Sequence, residues 1–139
     1  MPLVDQTNLL LENDLDVTGD ANGTDLAVQG MNKGQIIEFV MRFDGLIDSS
    51  SGDEVMDVYI EEKISSTYYK IAAFPRISYD TATEYNNAAF QSAGKVARCY
   101  GVINPDATHI RARFDVDGTT VSYADVSVIA IPTNFAPPV

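Results

Sequence analysis

In the stretch Gln35-Ile36-Ile37-Glu38-Phe39-Val40-Met41-Arg42-Phe43, the character of the side chains alternates from residue to residue. Each odd position from 37 to 43 holds a large apolar residue, while the even positions mix apolar and charged residues. Successive side chains of a β-strand point to opposite faces, whereas a helix repeats after about 3.6 residues. The period of two therefore predicts a half-buried strand, which ends at Asp44-Gly45.

The same alternation returns twice in the middle of the chain. After a loop rich in Ser and Asp at 47–52, residues 56–64 resume the alternation. The even positions are apolar except for Glu62, and Asp57, Tyr59, Glu61 and Lys63 lie between them, which predicts a second long strand. Residues 68–77 form a third candidate. Pro75 lies near its end, and because proline cannot donate to a β-ladder, an edge position is predicted for this strand.

The last third of the chain shows the clearest pattern. Residues 95–102 regain strand character and end at the turn signal Asn104-Pro105-Asp106. Residues 109–116 then alternate apolar and polar side chains, Asp117-Gly118 follows, and an apolar run extends to residue 131. Asp-Gly between two alternating runs is typical of a tight β-hairpin, so we predict a C-terminal hairpin.

Together with weaker strands near 9–11 and 25–28, these segments give about eight short strands separated by turns. We therefore predict an all-β domain, a β-sandwich or jelly roll with an extended N-terminal arm. Residues 1–32 would form the acidic arm and the first short strands of the same domain, residues 33–134 the sandwich core, and residues 135–139 a tail. Residues 78–94 lose the pattern and predict a short helical turn or a long connection.

Composition limits the classes of function. The chain has 139 residues, as expected for one domain, with 45% hydrophobic residues and a formal net charge of −11. Its Lys and Arg residues are scattered, which argues against binding to nucleic acid. No apolar stretch approaches the roughly 18 residues of a membrane span, and the N-terminus has no basic region typical of a secretory signal. We expect no membrane partner and synthesis in a cytoplasm.

The sequence contains no group of residues typical of a catalytic site. The one histidine, His109, has no supporting motif around it, and the one cysteine, Cys99, lies in an apolar run and is interpreted as a buried small residue. One Cys and one His cannot form a tetrahedral zinc site. We therefore expect no enzyme and no cofactor. The carboxylate-rich stretches 14–25 and 115–118 leave calcium as an alternative, but ordinary turns are favoured because neither matches an EF-hand.

Aromatic and leucine residues suggest contact with a partner. A strand cannot place all three side chains of Leu9-Leu10-Leu11 on one face, so one interpretation buries at least one of them against a partner. A strand in the core is the favoured interpretation. The seven tyrosines are compatible with sheet packing, a protein interface or stacking on a glycan. The candidate partner or oligomer interface consists of Leu9, Leu10, Leu11, Tyr68, Tyr69 and Phe135.

Four segments also carry a family resemblance. They are the strand and loop at 36–52, Val55-Met56-Asp57-Val58-Tyr59-Ile60-Glu61-Glu62, Ile71-Ala72-Ala73-Phe74-Pro75-Arg76-Ile77, and the stretch 108–123 with its arginine-bearing strand and Asp-Gly turn. Residues 35–128 thereby resemble the head decoration, or cement, proteins of tailed bacteriophages, which have a β-sandwich fold. The Asn- and Ala-rich stretch 83–94 is longer than this resemblance leads us to expect.

The resemblance implies a structural virion protein on the capsid surface. Such a protein binds across neighbouring subunits of the major capsid protein, often as a homotrimer, and stabilises the assembled capsid. Two alternatives remain from the sequence: a tail, neck or baseplate component, and a carbohydrate- or receptor-binding β-sandwich module. The sequence does not choose between capsid and tail.

Overall fold

Alternating apolar residues build two antiparallel sheets. The computed structural model describes residues 10–28, 33–43, 45–46, 53–78, 95–119 and 121–132. The strands in these ranges are β1 (Leu10–Val17), β2 (Ala21–Asn22), β3 (Leu26–Ala27), β4 (Ile36–Phe43), β5 (Gly45–Leu46), β6 (Val55–Ile64), β7 (Thr67–Ala73), β8 (Ile77–Ser78), β9 (Lys95–Val102), β10 (His109–Asp117) and β11 (Tyr123–Pro132). The described ranges contain no helix, so the all-β prediction is confirmed.

The strands alternate between the sheets along the chain. One sheet has the order β1-β11-β4-β9, with β5 added beside β11. The other has the order β2-β10-β6-β7, in which β3 also pairs with β10 and β8 with β6. Each long strand except β7 therefore follows a strand of the opposite sheet. All pairs are antiparallel, and two such sheets face to face with this alternation form a jelly roll.

The buried sides of the long strands are those that the alternation predicts. The fully buried side chains of β4 are the four at its odd positions, and β6 buries Met56, Val58 and Ile60. Phe43 packs edge-on against Tyr123 of β11, with 6.3 Å between the ring centroids. The core lies between the sheets, where each buried aliphatic side chain contributes about 1.5–3 kcal/mol to stability.

The predicted edge strand is confirmed but interrupted. β7 lies at the edge of its sheet, and the backbone leaves the ladder around Pro75 before resuming as β8. The β6–β7 hairpin turns through Ser65 and Ser66, both with positive φ (49° and 74°), as a two-residue type I′ turn requires. The strand at 95–102 and the turn after Asn104, whose carbonyl accepts the Ala107 N–H at 3.0 Å, are also confirmed.

The predicted C-terminal hairpin is wrong. β10 pairs with β6 over its whole length and with β2 and β3 on its other side, so it has no free edge for β11. β11 lies in the opposite sheet, between β1 and β4. Asp117-Gly118 therefore begins an arch from one sheet to the other. A hairpin and an arch join strands of the same period, so alternation and an Asp-Gly turn do not distinguish them.

The arch is closely packed against the start of β6. Gly118 has φ +126°, and a Cβ atom there would lie 2.7 Å from Cα of Glu54. The carboxylate of Asp53 accepts hydrogen bonds from the backbone N–H and the hydroxyl of Thr119 at 3.1 and 2.8 Å. These bonds hold the pKa of Asp53 below its ordinary value.

The acidic N-terminal stretch belongs to the sandwich from residue 10 onward. β1 pairs with β11, while β2 and β3 pair with β10. Between them, the Gly23 N–H donates to the carbonyl of Ala112 and the Thr24 N–H to the carbonyl of Leu11. Residues 1–9 and 29–32 of the predicted N-terminal unit 1–32, the tail at 135–139, and residues 79–94 of the predicted connection 78–94 lie outside the described residues.

Candidate functional site

The outer side of the β11-β4-β9 part of the first sheet carries several exposed apolar side chains. On β4, β9 and β11, several side chains that point away from the core are aliphatic or aromatic. Val102 is 52% exposed, Tyr100 59% and Ile36 47%. We define the outer apolar face as Ile36, Val40, Val96, Tyr100, Val102 and Ile129.

The strand register makes this face continuous. Ile36 lies opposite Val102 in the β4–β9 pair, and Val40 lies opposite Ile129 in the β4–β11 pair. Directly opposed side chains in antiparallel strands have Cβ atoms about 4.5–5.5 Å apart. Single exposed apolar residues are normal on a protein surface, but a contiguous group on a rigid sheet is typical of an interaction site.

A hydrogen-bonded cluster crosses the face. Glu38 of β4 lies opposite Tyr100 of β9 and accepts its hydroxyl hydrogen bond at 2.9 Å. The Nε atom of Arg98 lies 3.4 Å from the same carboxylate. The bond to Glu38 and the negative charge of that group raise the pKa of Tyr100 above its ordinary value. Glu38 thus fixes the orientation of an aromatic ring that is largely in solvent.

Arg42 is the other charged group on this side of β4. It is exposed and lies opposite Val96 of β9 and Ser127 of β11. Within the part of the chain that the structure describes, its guanidinium has no acidic partner. The face therefore combines aliphatic side chains, one fixed tyrosine and an exposed arginine.

The outer side of the other sheet is built differently. The Tyr59 hydroxyl donates to Asp115 at 3.0 Å, and the Lys70 ammonium lies 4.5 Å from the centre of the Tyr59 ring. Arg113 donates to Asp115 at 2.7 Å and to Asn22 at 3.1 Å. These groups satisfy one another across β2, β10, β6 and β7.

Tyr68 belongs to the same network. Its hydroxyl donates to Asp25 at 2.8 Å, and the Arg111 guanidinium lies 3.5 Å from the centre of its ring. Arg111 in turn donates to Glu61 at 2.9 Å. Burial and the hydrogen bond to Asp25 raise the pKa of Tyr68. Because its hydroxyl and one ring face are engaged within the chain, Tyr68 is a poor platform for a partner.

Among the predicted interface residues, the three whose side chains the structure describes, Leu11, Tyr68 and Tyr69, do not form one surface. Leu11 is fully buried in the core, in agreement with the favoured core-strand interpretation, and its side chain presents no surface to a partner. Leu10 begins β1 and pairs with Ile129. Tyr69 is 51% exposed but lies on β7 of the opposite sheet. Leu9 and Phe135 lie outside the described residues.

The outer apolar face was missed as a unit although the sequence contained a signal for it. Ile36 and Val40 stand on the otherwise polar side of the alternation in β4, and Val96, Tyr100 and Val102 share one side of β9. A strand with apolar residues on both sides is a sign that both sides are covered in the functional state. Without knowledge that β9 and β11 flank β4, these residues could not be grouped.

In the two carboxylate-rich stretches, 14–25 and 115–118, several carboxylates accept local backbone hydrogen bonds. Asp16 accepts the Asp125 N–H at 3.1 Å, Asp20 accepts the Val116 N–H at 2.9 Å, and Asp117 accepts the Gly118 N–H at 2.8 Å. In the ranges given above, no three His, Cys, Asp or Glu side chains are grouped in a way that could hold a metal ion. These carboxylates therefore stabilise the turns by accepting backbone hydrogen bonds.

Comparisons with known proteins add little. No protein-family model matches the chain, and no curated protein matches it significantly. Among solved structures, xylanase 10B of Clostridium thermocellum, crystallised as its CBM22-1 and GH10 modules with xylohexaose, aligns with a TM-score of 0.44 and 10% identity. The alignment covers 94% of this chain and 30% of the xylanase chain. A likeness at this level carries no argument about ligand or activity.

No helix in the described ranges is long and apolar enough to cross a membrane.

Proposed function

We propose that this protein is a non-catalytic structural protein that docks through its outer apolar face on a protein assembly. In the specific form favoured by the sequence resemblance, it decorates the phage capsid and binds across neighbouring subunits of the major capsid protein, as a trimer on the virion surface. The observation that carries the proposal is the contiguous exposed face of β4, β9 and β11.

The composition of that face supports a protein partner. Its members are mostly β-branched aliphatic residues, which pack against apolar side chains, and Tyr100 is the one aromatic ring among them. Glycan sites use flat aromatic rings, but Tyr59 of β6 and Tyr68 of β7, on the opposite sheet, each have a cation over the ring. The carbohydrate-binding alternative is therefore less well supported.

The fold is suited to a protein that binds across neighbouring subunits of an assembly. The face is carried by central and edge strands of an antiparallel sheet, so its side chains are positioned before the partner arrives, which reduces the entropy lost on binding. Tyrosine and arginine are enriched among the residues that dominate binding energy. Because many copies act on one lattice, a modest affinity per copy is sufficient to stabilise the whole assembly.

Binding to capsids tests the proposal. Capsids assembled without this protein are mixed with purified chain and sedimented, and the bound fraction is measured as a function of concentration. We expect saturable binding, weakened about 30-fold by Tyr100→Ala, since loss of a central aromatic residue commonly costs about 2 kcal/mol. Tyr69→Ala is the matched control, because Tyr69 is similarly exposed on the opposite sheet.

Three outcomes count against the proposal. Absence of wild-type binding would reject the capsid role, and binding to purified tails instead would support the tail, neck or baseplate alternative. Equal losses for Tyr100→Ala and Tyr69→Ala would show that the outer apolar face is not the docking surface. A positive response on a glycan array, lost in Tyr100→Ala, would favour the carbohydrate-binding alternative.

A further inference from the structure

Two kinds of dipeptide in this chain place a reactive side chain beside a glycine nitrogen. The sequence contains one Asn-Gly pair, at 22–23, and two Asp-Gly pairs, at 44–45 and 117–118. Because glycine has no Cβ atom, its backbone nitrogen can closely approach the carbonyl carbon of the preceding side chain. The structure describes both residues of the pairs at 22–23 and 117–118, and it places the two pairs in opposite situations.

The Asn22-Gly23 pair is held in the sheet. Asn22 lies opposite Arg113 in the β2–β10 pair, and its Oδ1 atom accepts a hydrogen bond from Arg113 at 3.1 Å. The Gly23 N–H donates to the carbonyl oxygen of Ala112 at 2.7 Å. A Cβ atom on Gly23 would lie 2.7 Å from the carbonyl oxygen of Leu11, so the backbone has little room to rotate. The Gly23 nitrogen is therefore bonded to another strand rather than to the Asn22 side chain.

The Asp117-Gly118 pair has the reverse arrangement. Both residues are exposed where β10 ends and the arch to β11 begins. The Gly118 N–H donates to Oδ1 of Asp117 at 2.8 Å, so the nitrogen lies against the carboxyl group of the preceding side chain. Nucleophile and electrophile are thus neighbours in the folded protein, and such proximity raises the rate of an intramolecular reaction.

We propose that Asp117 is a site of spontaneous isomerisation to isoaspartate. In the first step, the Gly118 nitrogen forms a bond to Cγ of Asp117 while a Cγ–Oδ bond breaks. The oxygen leaves as water with the amide proton and the proton of the neutral carboxyl group, and a cyclic succinimide remains. In the second step, water adds to the main-chain carbonyl carbon of residue 117, and the bond from this carbon to the Gly118 nitrogen breaks. The chain then runs through Cβ and Cγ of residue 117 with no net change in mass, and no oxidant or other co-reactant is needed.

The reaction would change the packing of the arch. A Cβ atom on Gly118 would lie 2.7 Å from Cα of Glu54, so the backbone at this glycine is already in close contact with the start of β6. Thr119 is held to the carboxylate of Asp53 by two hydrogen bonds. Isoaspartate lengthens the main chain immediately before these contacts and shifts the groups that make them. The modified protein should therefore unfold at a lower urea concentration, and this inference is independent of the proposed function.

Peptide mapping of the full chain tests the proposal. The purified protein is kept for several weeks at neutral pH and physiological temperature, either folded or in guanidinium chloride, and is then digested. Electron-based fragmentation distinguishes isoaspartate from aspartate, and deamidation of Asn22 is detected by its change in mass. We expect Asp117 to isomerise at least as fast in the folded protein as in the denatured chain. Asn22 should react at least about tenfold more slowly when folded, since a cost of about 1.4 kcal/mol for opening the strand corresponds to a factor of ten.

Asp117→Glu is the matched control. It keeps the carboxylate but would have to close a larger and less favourable ring, so we expect no isomerisation at position 117 and an unchanged reaction of Asn22. Matching thermal melts of the wild type and this variant confirm that both are folded.

Three results would overturn the proposal. Slower isomerisation of Asp117 in the folded protein than in the denatured chain would mean that the native arrangement hinders ring closure. Absence of isoaspartate at position 117, in samples whose denatured chains have deamidated at Asn22, would mean that the site is unreactive under conditions that allow succinimide formation. Equal reaction of Asn22 in both states would contradict the contrast between the two pairs.

Discussion

The hydroxyl of Tyr100 donates a 2.9 Å hydrogen bond to the carboxylate of Glu38 across the β4–β9 pair. This bond joins the largest exposed ring of the outer apolar face to a half-buried charge. It holds the ring in one orientation in the unbound protein, because a free tyrosine at this exposure would otherwise sample several rotamers.

The bond predicts an altered titration of Tyr100. Ionisation of the phenol would place a second negative charge beside Glu38, so its pKa lies above the ordinary value. In Glu38→Gln the charge is removed, and the pKa of Tyr100 should fall towards that of a free tyrosine. The difference in tyrosinate absorbance between the wild type and Tyr100→Phe isolates this residue. An identical titration in Glu38→Gln would contradict the assignment.

Two buried glutamates at opposite ends of the β6 region should respond differently to substitution. Glu54 is fully buried, and neither of its carboxylate oxygens has a hydrogen-bond partner among the described residues, whereas Glu62 accepts the Asn104 N–H at 2.8 Å. A buried polar group without a partner costs about 1–3 kcal/mol. We expect Glu54→Met to raise the free energy of unfolding by about that amount, and Glu62→Met to lower it by about 1 kcal/mol.

Urea unfolding followed by circular dichroism measures both changes. The contrast between the two sites is the test, because the two substitutions remove the same group and add the same side chain. Destabilisation by Glu54→Met comparable to that by Glu62→Met would mean that Glu54 has a favourable contact in the native protein.

The arch after β10 predicts a strong dependence on glycine at position 118. A Cβ atom would lie 2.7 Å from Cα of Glu54 and 2.9 Å from the carbonyl oxygen of Asp53, and φ is +126°. Both contacts are with backbone, so no side-chain rotation relieves them. Gly118→Ala should lower the free energy of unfolding by about 1–3 kcal/mol or more. Gly19→Ala, where nothing lies within 4 Å of the added atom, should change it by less than about 0.5 kcal/mol.

The thiol of Cys99 should be unreactive in the folded protein. Cys99 lies on the buried side of β9, and burial raises its pKa from 9.0 to about 12. At pH 8 the thiolate fraction is then about a thousandfold smaller than for an unperturbed thiol. Reaction with an aromatic disulfide reagent should be slow in buffer and fast in urea. Rapid labelling of the native protein would contradict the buried placement.

The same shift has a consequence for stability. Because the pKa is raised in the folded state, the unfolded state releases its proton first as the pH rises above about 9. The contribution of Cys99 to stability is therefore complete below pH 9 and decreases as the pH approaches 12. In Cys99→Ala this part of the alkaline loss of stability should disappear.

The sequence predicted the strands because burial on one side leaves a period of two. Phe39 and Met41 of β4, and Val58 and Ile60 of β6, are buried as the alternation indicates. The period does not report which strand lies beside which. The alternation therefore predicts a hairpin for the link from β10 to β11, where the structure has an arch. β3 lies within the weak strand predicted near 25–28, whereas β2, with two residues, is too short for any period to define.

The candidate site was less predictable for the same reason. Residue type alone predicts an interface role for Tyr68 and Tyr69. In the structure, Tyr68 contacts Asp25 and Arg111, and Tyr69 lies on the sheet opposite the outer apolar face. Ile36 and Val102 are far apart in sequence and meet only because β4 pairs with β9. A surface made from three strands depends on sheet order, which short-range patterns do not contain.

The central claim is that the outer apolar face docks on the capsid, and cryo-electron microscopy of the assembled particle tests it most directly. We predict that density for the jelly roll lies on the outer capsid surface with β4, β9 and β11 turned towards the major capsid protein. A particle in which this face points to solvent, or which has no density for the chain, would contradict the account.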